Sequence, residues 1–134
     1  MKKTVFKTGA IIIFFLILFA ACNPDDINNL LITRDNYLGT WSVSDSDAKK
    51  RTYEVTISAN PNNSSQIIIN NFHQYGSSYF VYGVVSGKNL TIDYQTVLGE
   101  TVNGDGVLKS GVLTITYYVN DVADLKTYIA TYTK

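Results

Sequence analysis

Period-two alternation of apolar and polar side chains constrains this chain more than any other feature. Between residues 51 and 59, Tyr53, Val55 and Ile57 share one face, and Glu54, Thr56 and Ser58 share the other. Between 112 and 119, Leu113, Ile115, Tyr117 and Val119 alternate against Thr114 and Thr116. A strand sends successive side chains to opposite faces, so each run must lie between a core and water. Further runs rich in Val, Ile, Thr and Tyr recur between turn residues, and eight strands are expected in all: 39–45, 51–59, 65–72, 79–86, 90–97, 100–109, 112–119 and 125–133. In 90–97 the pattern places Leu90, Ile92 and Tyr94 on the inner face, with Thr91 and Asp93 outside. Asn60-Pro61-Asn62-Asn63-Ser64, Gly87-Lys88-Asn89 and Ser110-Gly111 supply turns, and Asp35-Asn36 can cap one helical turn leading into Tyr37-Leu38.

Short strands joined by short connections make a meander, and closing it removes the exposed edges of an open sheet. The expected fold is therefore all-β, an eight-stranded antiparallel up-and-down barrel, with a two-sheet β-sandwich as the alternative. Gly104 and Gly106, two residues apart in the sixth run, fit a sharply coiled strand at a barrel corner. A membrane-spanning barrel is disfavoured, because the polar faces of the second and seventh runs would meet lipid.

Tyr37-Leu38-Gly39-Thr40-Trp41 resembles the Gly-x-Trp opening of lipocalins and related calycin barrels. The resemblance implies that Trp41 plugs one barrel end after a short helical turn. It also implies an Arg from the last strand stacked on that ring. Arg occurs downstream of the leader only at 34 and 51, so Lys126 is the nearest substitute. The chain is shorter than a typical lipocalin and lacks a C-terminal helix. The whole region after residue 21 is similar to the small lipocalin-like lipoproteins of Gram-negative bacteria.

The N-terminus reads as an export address. Lys2, Lys3 and Lys7 precede the unbroken apolar run Ala10–Ala21. As a helix those residues reach only ~18 Å, short of the ~30 Å hydrocarbon core, so they form a signal h-region rather than a membrane span. Leu18-Phe19-Ala20-Ala21-Cys22 resembles a bacterial lipobox, with Phe19 where Leu is preferred. That resemblance implies cleavage before Cys22 and acylation of its thiol. The alternative is an ordinary signal peptide cut after Ala21, leaving a free thiol. Cys22 is the one cysteine, and an exported lone thiol is either modified or a liability. Two acyl chains suffice for stable anchoring where one is marginal. Asn23 stands where an Asp would retain an enteric lipoprotein at the inner membrane, which favours the outer membrane. Asp25-Asp26 resembles an acidic surface-export signal; the alternative is the periplasmic face. The expected organisation is a signal peptide at 1–21, a lipid-anchored tether at 22–36 and a barrel at 37–134.

Removing residues 1–21 from the 134-residue chain leaves 113, one domain by size. It also removes three lysines, leaving 8 basic against 11 acidic residues, a net charge of −3. Nucleic acid needs a concentrated basic surface, and the one local run, Lys49-Lys50-Arg51, reads as a solvated turn. Peripheral adhesion to anionic lipid is disfavoured on the same ground, and the membrane is reached through the acyl chains.

Residues for catalysis are sparse. His73 is the single histidine, which leaves no histidine cluster for a metal, and Asn71-Phe72-His73-Gln74-Tyr75 reads as a solvated loop. No serine sits in a Gly-x-Ser-x-Gly elbow. Glu54 and Glu100 are the only glutamates, and no spacing pairs them. Asn103-Gly104-Asp105-Gly106 lacks the later acidic ligands of a calcium loop and reads as a strand corner. No enzyme, metal or cofactor is expected.

Aromatic excess is the informative anomaly. Tyr79-Phe80-Val81-Tyr82-Gly83-Val84-Val85 is apolar on both faces, and Ile67-Ile68-Ile69 is nearly so. Phe80, Tyr82 and Val84 are assigned outward, since Val81, Gly83 and Val85 suit a narrow interior. That outer patch is covered by Leu30-Leu31-Ile32, forms a partner interface, or is tolerated surface. The preferred function is a non-enzymatic binding module for a small apolar or amphipathic ligand or a glycan, with Trp41, Phe80, Tyr82, Tyr94 and Tyr117 as contact residues. The alternative is a structural or interaction protein, such as an accessory subunit or inhibitor-like barrel, working through the outer aromatic patch. Tyr53, Tyr94 and Tyr117 are expected inside. A hollow barrel favours the first reading, and a filled barrel with an exposed patch favours the second.

Overall fold

A computed structural model describes residues 31–47 and 52–134. The signal segment 1–21, Cys22, Leu30 and the Lys49-Lys50-Arg51 run lie outside the described residues. Eight strands follow in order: β1 (Gly39–Asp45), β2 (Tyr53–Ala59), β3 (Gln66–Asn70), β4 (Phe80–Ser86), β5 (Asn89–Val97), β6 (Glu100–Lys109), β7 (Val112–Asn120) and β8 (Leu125–Thr133). Each pairs antiparallel with its neighbours, and β8 returns to β1 through Ser42↔Thr133, Val43↔Tyr132, Ser44↔Thr131 and Asp45↔Ala130. The fold is a closed eight-stranded up-and-down barrel, consistent with a lipocalin-like architecture, and not a sandwich.

Local chemistry accounts for most element ends. Ser110 and Gly111 both take positive φ, as a two-residue type I′ hairpin between right-twisted strands requires. Leu98-Gly99 makes the equivalent turn between β5 and β6, although leucine carries no turn signal. β3 stops at Asn70 rather than reaching 72, because Asn71 enters the left-handed region at φ 62°. A short 3-10 turn at Arg34–Tyr37 leads into β1. Its start is set by Thr33, whose N–H donates to Asn36 Oδ1 at 2.8 Å, rather than by an Asp35-Asn36 cap.

The interior is filled. Trp41, Tyr37, Tyr117, Tyr132 and Phe72 are fully buried, with Ile57, Ile67, Ile69, Leu90, Ile92, Leu113 and Ile115 between them. An eight-stranded barrel has an interior just wide enough for such packing. Gly104 and Gly106 make it possible. A Cβ on Gly104 would stand 2.6 Å from the Thr116 carbonyl oxygen and 2.7 Å from Tyr117 Cβ, so the bare backbone is what lets β6 coil against Tyr117.

One strand departs from its expected phase. β5 carries a register shift between Ile92 and Gln95, so Leu90 and Ile92 point inward but Tyr94 points out and is 79% exposed. The pleat has period two, and one extra residue therefore reverses every face beyond it. Tyr53 and Tyr117 are inside as expected, and Tyr94 is not.

Candidate functional site

The residues singled out by sequence fall in four places. Trp41 lies at the barrel base, the end from which β1 starts and where β8 finishes. It is 1% exposed, and its Nε1–H donates to the Tyr37 carbonyl at 2.8 Å. The Tyr37 hydroxyl, its pKa pushed up to about 12 by burial, donates at 2.9 Å to the Gly87 carbonyl in the β4–β5 turn. The cation over the indole is Lys134, with Nζ 4.5 Å from the ring centroid, and not Lys126. Pairing of Val43 with Tyr132 carries position 134 across to Trp41, whereas Lys126 faces Val119 towards the opposite end. Lys134 also donates to the Leu38 carbonyl at 2.7 Å, which closes the base.

Tyr117 lies under the top of the barrel in a cluster that no local pattern in the sequence announces. His73, expected to be solvated, is held over the barrel mouth with its side chain only 10% exposed. Its ring stands 4.7 Å from Tyr128, 5.1 Å from Tyr75 and 5.4 Å from Tyr117, centroid to centroid. Tyr117 donates its hydroxyl proton to Asp45 Oδ2, and the Asp45 side chain has no exposure. With that proton committed, the 2.6 Å contact between Tyr117 Oη and His73 Nδ1 requires Nδ1 to carry the donor. Tyr53 also donates to Asp45 Oδ2, at 3.3 Å, and Tyr75 donates to Glu100 Oε2 at 2.6 Å. Burial, followed by the hydrogen bond to Asp45, raises the Tyr117 phenol well above its ordinary range.

The loop that delivers His73 has three non-glycine residues at positive φ: Asn71, His73 and Gln74. Asparagine tolerates this region, but histidine and glutamine are strained there, by about 1–3 kcal/mol each. Asn71 offsets part of that cost by accepting the Gly76 N–H at 2.8 Å and donating to the Glu54 carbonyl at 2.7 Å. Chemically, the cluster is a chain of donors ending on a buried carboxylate, and it latches a strained loop across the barrel mouth. Among the described residues, no three His, Asp or Glu side chains converge as metal ligands.

Phe80, Tyr82 and Val84 form the outward face of β4, alternating with buried Val81, Gly83 and Val85. They are 41%, 39% and 36% exposed, and the Phe80 and Tyr82 rings meet edge to face at 5.2 Å. On β3, Asn70, Ile68 and Gln66 stand opposite them, so the face carries no charge. Leu31-Ile32 does not cover it: Leu31 is 71% exposed, and Ile32 packs against the core beside the base. Beyond Val84↔Thr91 the β4–β5 ladder gives way to the β5 bulge. There the Gln95 amide stands in for a peptide, accepting the Tyr82 N–H and donating to the Tyr82 carbonyl, both at 2.8 Å.

Tyr94, released outward by that bulge, lines a separate external groove of about 310 Å³ with Tyr118, Leu125, Asn103 and Asn120. The five predicted contact residues thus do not share one site; only Phe80 and Tyr82 are neighbours. No family model matches the chain, and no curated protein or solved structure matches it at a significant level.

Proposed function

We propose that this chain is a non-enzymatic interaction module, lipid-anchored through Cys22 to the outer membrane and displayed at the cell surface, that holds a protein partner on the outer face of β3 and β4. The observation that carries the reading is the uncharged aromatic face Phe80-Tyr82-Val84 on a barrel whose interior is already filled. Apolar and aromatic side chains flanked by uncharged amides are the composition of a protein interface core, where charge is depleted. Asn70 and Gln66 would supply hydrogen bonds at its margin.

The test places a photo-crosslinking residue at Gln66 on intact cells, identifies the adduct, and measures binding of that partner to the purified chain. Tyr82→Ser is expected to change stability by less than about 1 kcal/mol, as a surface substitution does, and to weaken the partner by about tenfold or more. Unchanged partner affinity in a folded Tyr82→Ser variant sinks the reading. So does an adduct that forms equally from Thr114 on the far wall.

A further inference from the structure

A cleft of about 500 Å³ opens at the barrel base, beside the plug formed by Trp41. Its walls come from the β4–β5 turn, the β6–β7 turn and the segment entering β1. Ile32, Trp41, Val107 and Leu108 make them largely apolar, and Lys88, Lys109 and Lys134 are its cations. Four lysines occur among the described residues, and three of them line this one cleft. Among the described residues, no Asp or Glu side chain lines it. The excess acid of the described residues is thus reversed locally. Converging cations over low-dielectric walls focus a positive potential into a concave space. Lys134 is already seated on the Trp41 ring and on backbone carbonyls, so the indole face is not free to stack a base or a sugar.

We infer that the cleft binds a single-chain anionic amphiphile of the fatty-acid class, its carboxylate at Lys88 and Lys109 and its alkyl chain along Val107, Leu108 and Ile32. The volume lies within the range of small-ligand sites, about 300–1,000 Å³. Charge complementarity selects the head, and the aliphatic walls select the tail. The site is outside the filled interior and on the opposite end from the His73 latch, so it is independent of the β3–β4 face.

Trp41 is the only tryptophan in the chain, and it borders the cleft, so its fluorescence reports this site alone. The experiment uses the full chain in phosphatidylcholine nanodiscs, titrated with decanoate bearing a terminal bromine as the quencher. Expected is saturable quenching by bromodecanoate, at least about tenfold tighter than by bromodecyl-trimethylammonium. Lys88→Gln with Lys109→Gln raises the half-saturation concentration by about tenfold, the scale of two exposed ion pairs, with the melting curve unchanged. Val107→Phe, which narrows the cleft without touching a charge, weakens binding as well. Equal quenching by the cationic probe overturns the inference, and so does indifference to all three substitutions. Quenching only by brominated phosphatidylglycerol in the disc would mean the lysines meet a lipid surface instead. Quenching that emerges only after deletion of residues 23–30 would mean that the chain's own upstream segment fills the cleft. Both results overturn the fatty-acid assignment and leave the β3–β4 reading intact.

Discussion

Gly104 shows how little slack the barrel has. A methyl group there would meet a carbonyl oxygen and the Tyr117 Cα at 2.6 and 2.8 Å, and both belong to backbone that cannot step aside. At Gly106 the nearest obstacles are Ile115 Cγ1 at 3.2 Å and Leu90 Cβ at 3.3 Å, which can give by a few tenths of an ångström. Gly104→Ala is therefore expected to cost about 2–3 kcal/mol in denaturant melts, at the upper end for overpacking, and Gly106→Ala about 1 kcal/mol or less. Equal costs would mean that β6 and β7 approach less closely at Tyr117 than described. This pair of glycines is legible in the sequence, because two glycines two residues apart inside a strand mark a bend or a close approach. His73 is not legible. Its partners Asp45 and Tyr117 lie on β1 and β7, and no local pattern links a histidine in a polar stretch to residues that only barrel closure brings near. Lys134 falls between the two cases. It has the same parity on β8 as buried Ala130 and Tyr132, which points it over the base, but the β1–β8 register is needed to set it above Trp41.

At the scale of the element, β5 is the instructive strand. Leu90, Ile92 and Tyr94 form a clean apolar alternation, yet Val97 is out of phase with Leu90 and Ile92 and is buried all the same. That change of parity is the sequence signature of the bulge, and reading the alternation only as far as Tyr94 misses it. Once the bulge has broken the ladder, Gln95 takes over both hydrogen bonds of Tyr82. Gln95→Leu keeps the side-chain bulk and removes the amide. It should cost about 1 kcal/mol, since the freed Tyr82 groups lie at an exposed position where water can reach them. It should also raise the hydrogen-exchange rate of the Tyr82 amide selectively among the β4 amides. Protection unchanged at Tyr82 would show that the amide bridge does not hold the seam. By contrast, β1 and β8 match their expected spans residue for residue, because turn residues or loops bound them on both sides and no bulge intervenes.

For the whole molecule, the burial of phenols sets a limit on alkaline stability. Tyr37, Tyr53, Tyr75, Tyr117 and Tyr132 are all raised above the ordinary value of 10.0, burial being the largest cause in every case. In the unfolded chain these groups ionise near 10, while in the fold they stay neutral. Their contribution is therefore fully present below pH 10 and is lost as pH rises above it, with Tyr37 following in the fold near 12. Tyr132 is completely buried and its hydroxyl has no hydrogen-bond partner among the described residues, so it alone should account for about 1.4 kcal/mol per pH unit in that window. Urea midpoints should fall steeply from pH 10 upward, with phenolate absorbance from these residues rising together with loss of β-sheet signal. Completed phenolate absorbance in a still-folded barrel would contradict this account.

The closing seam has a further consequence, for the order in which the barrel can be made. Residues 42–45 of β1 meet residues 130–133 of β8, the first strand against the last. Until the final strand is available, every partial chain presents two open strand edges, and β1 has only β2 beside it. Contacts this distant along the chain form late and slowly. Closure therefore waits for residues 130–133, and the growing barrel stays pliable until they arrive.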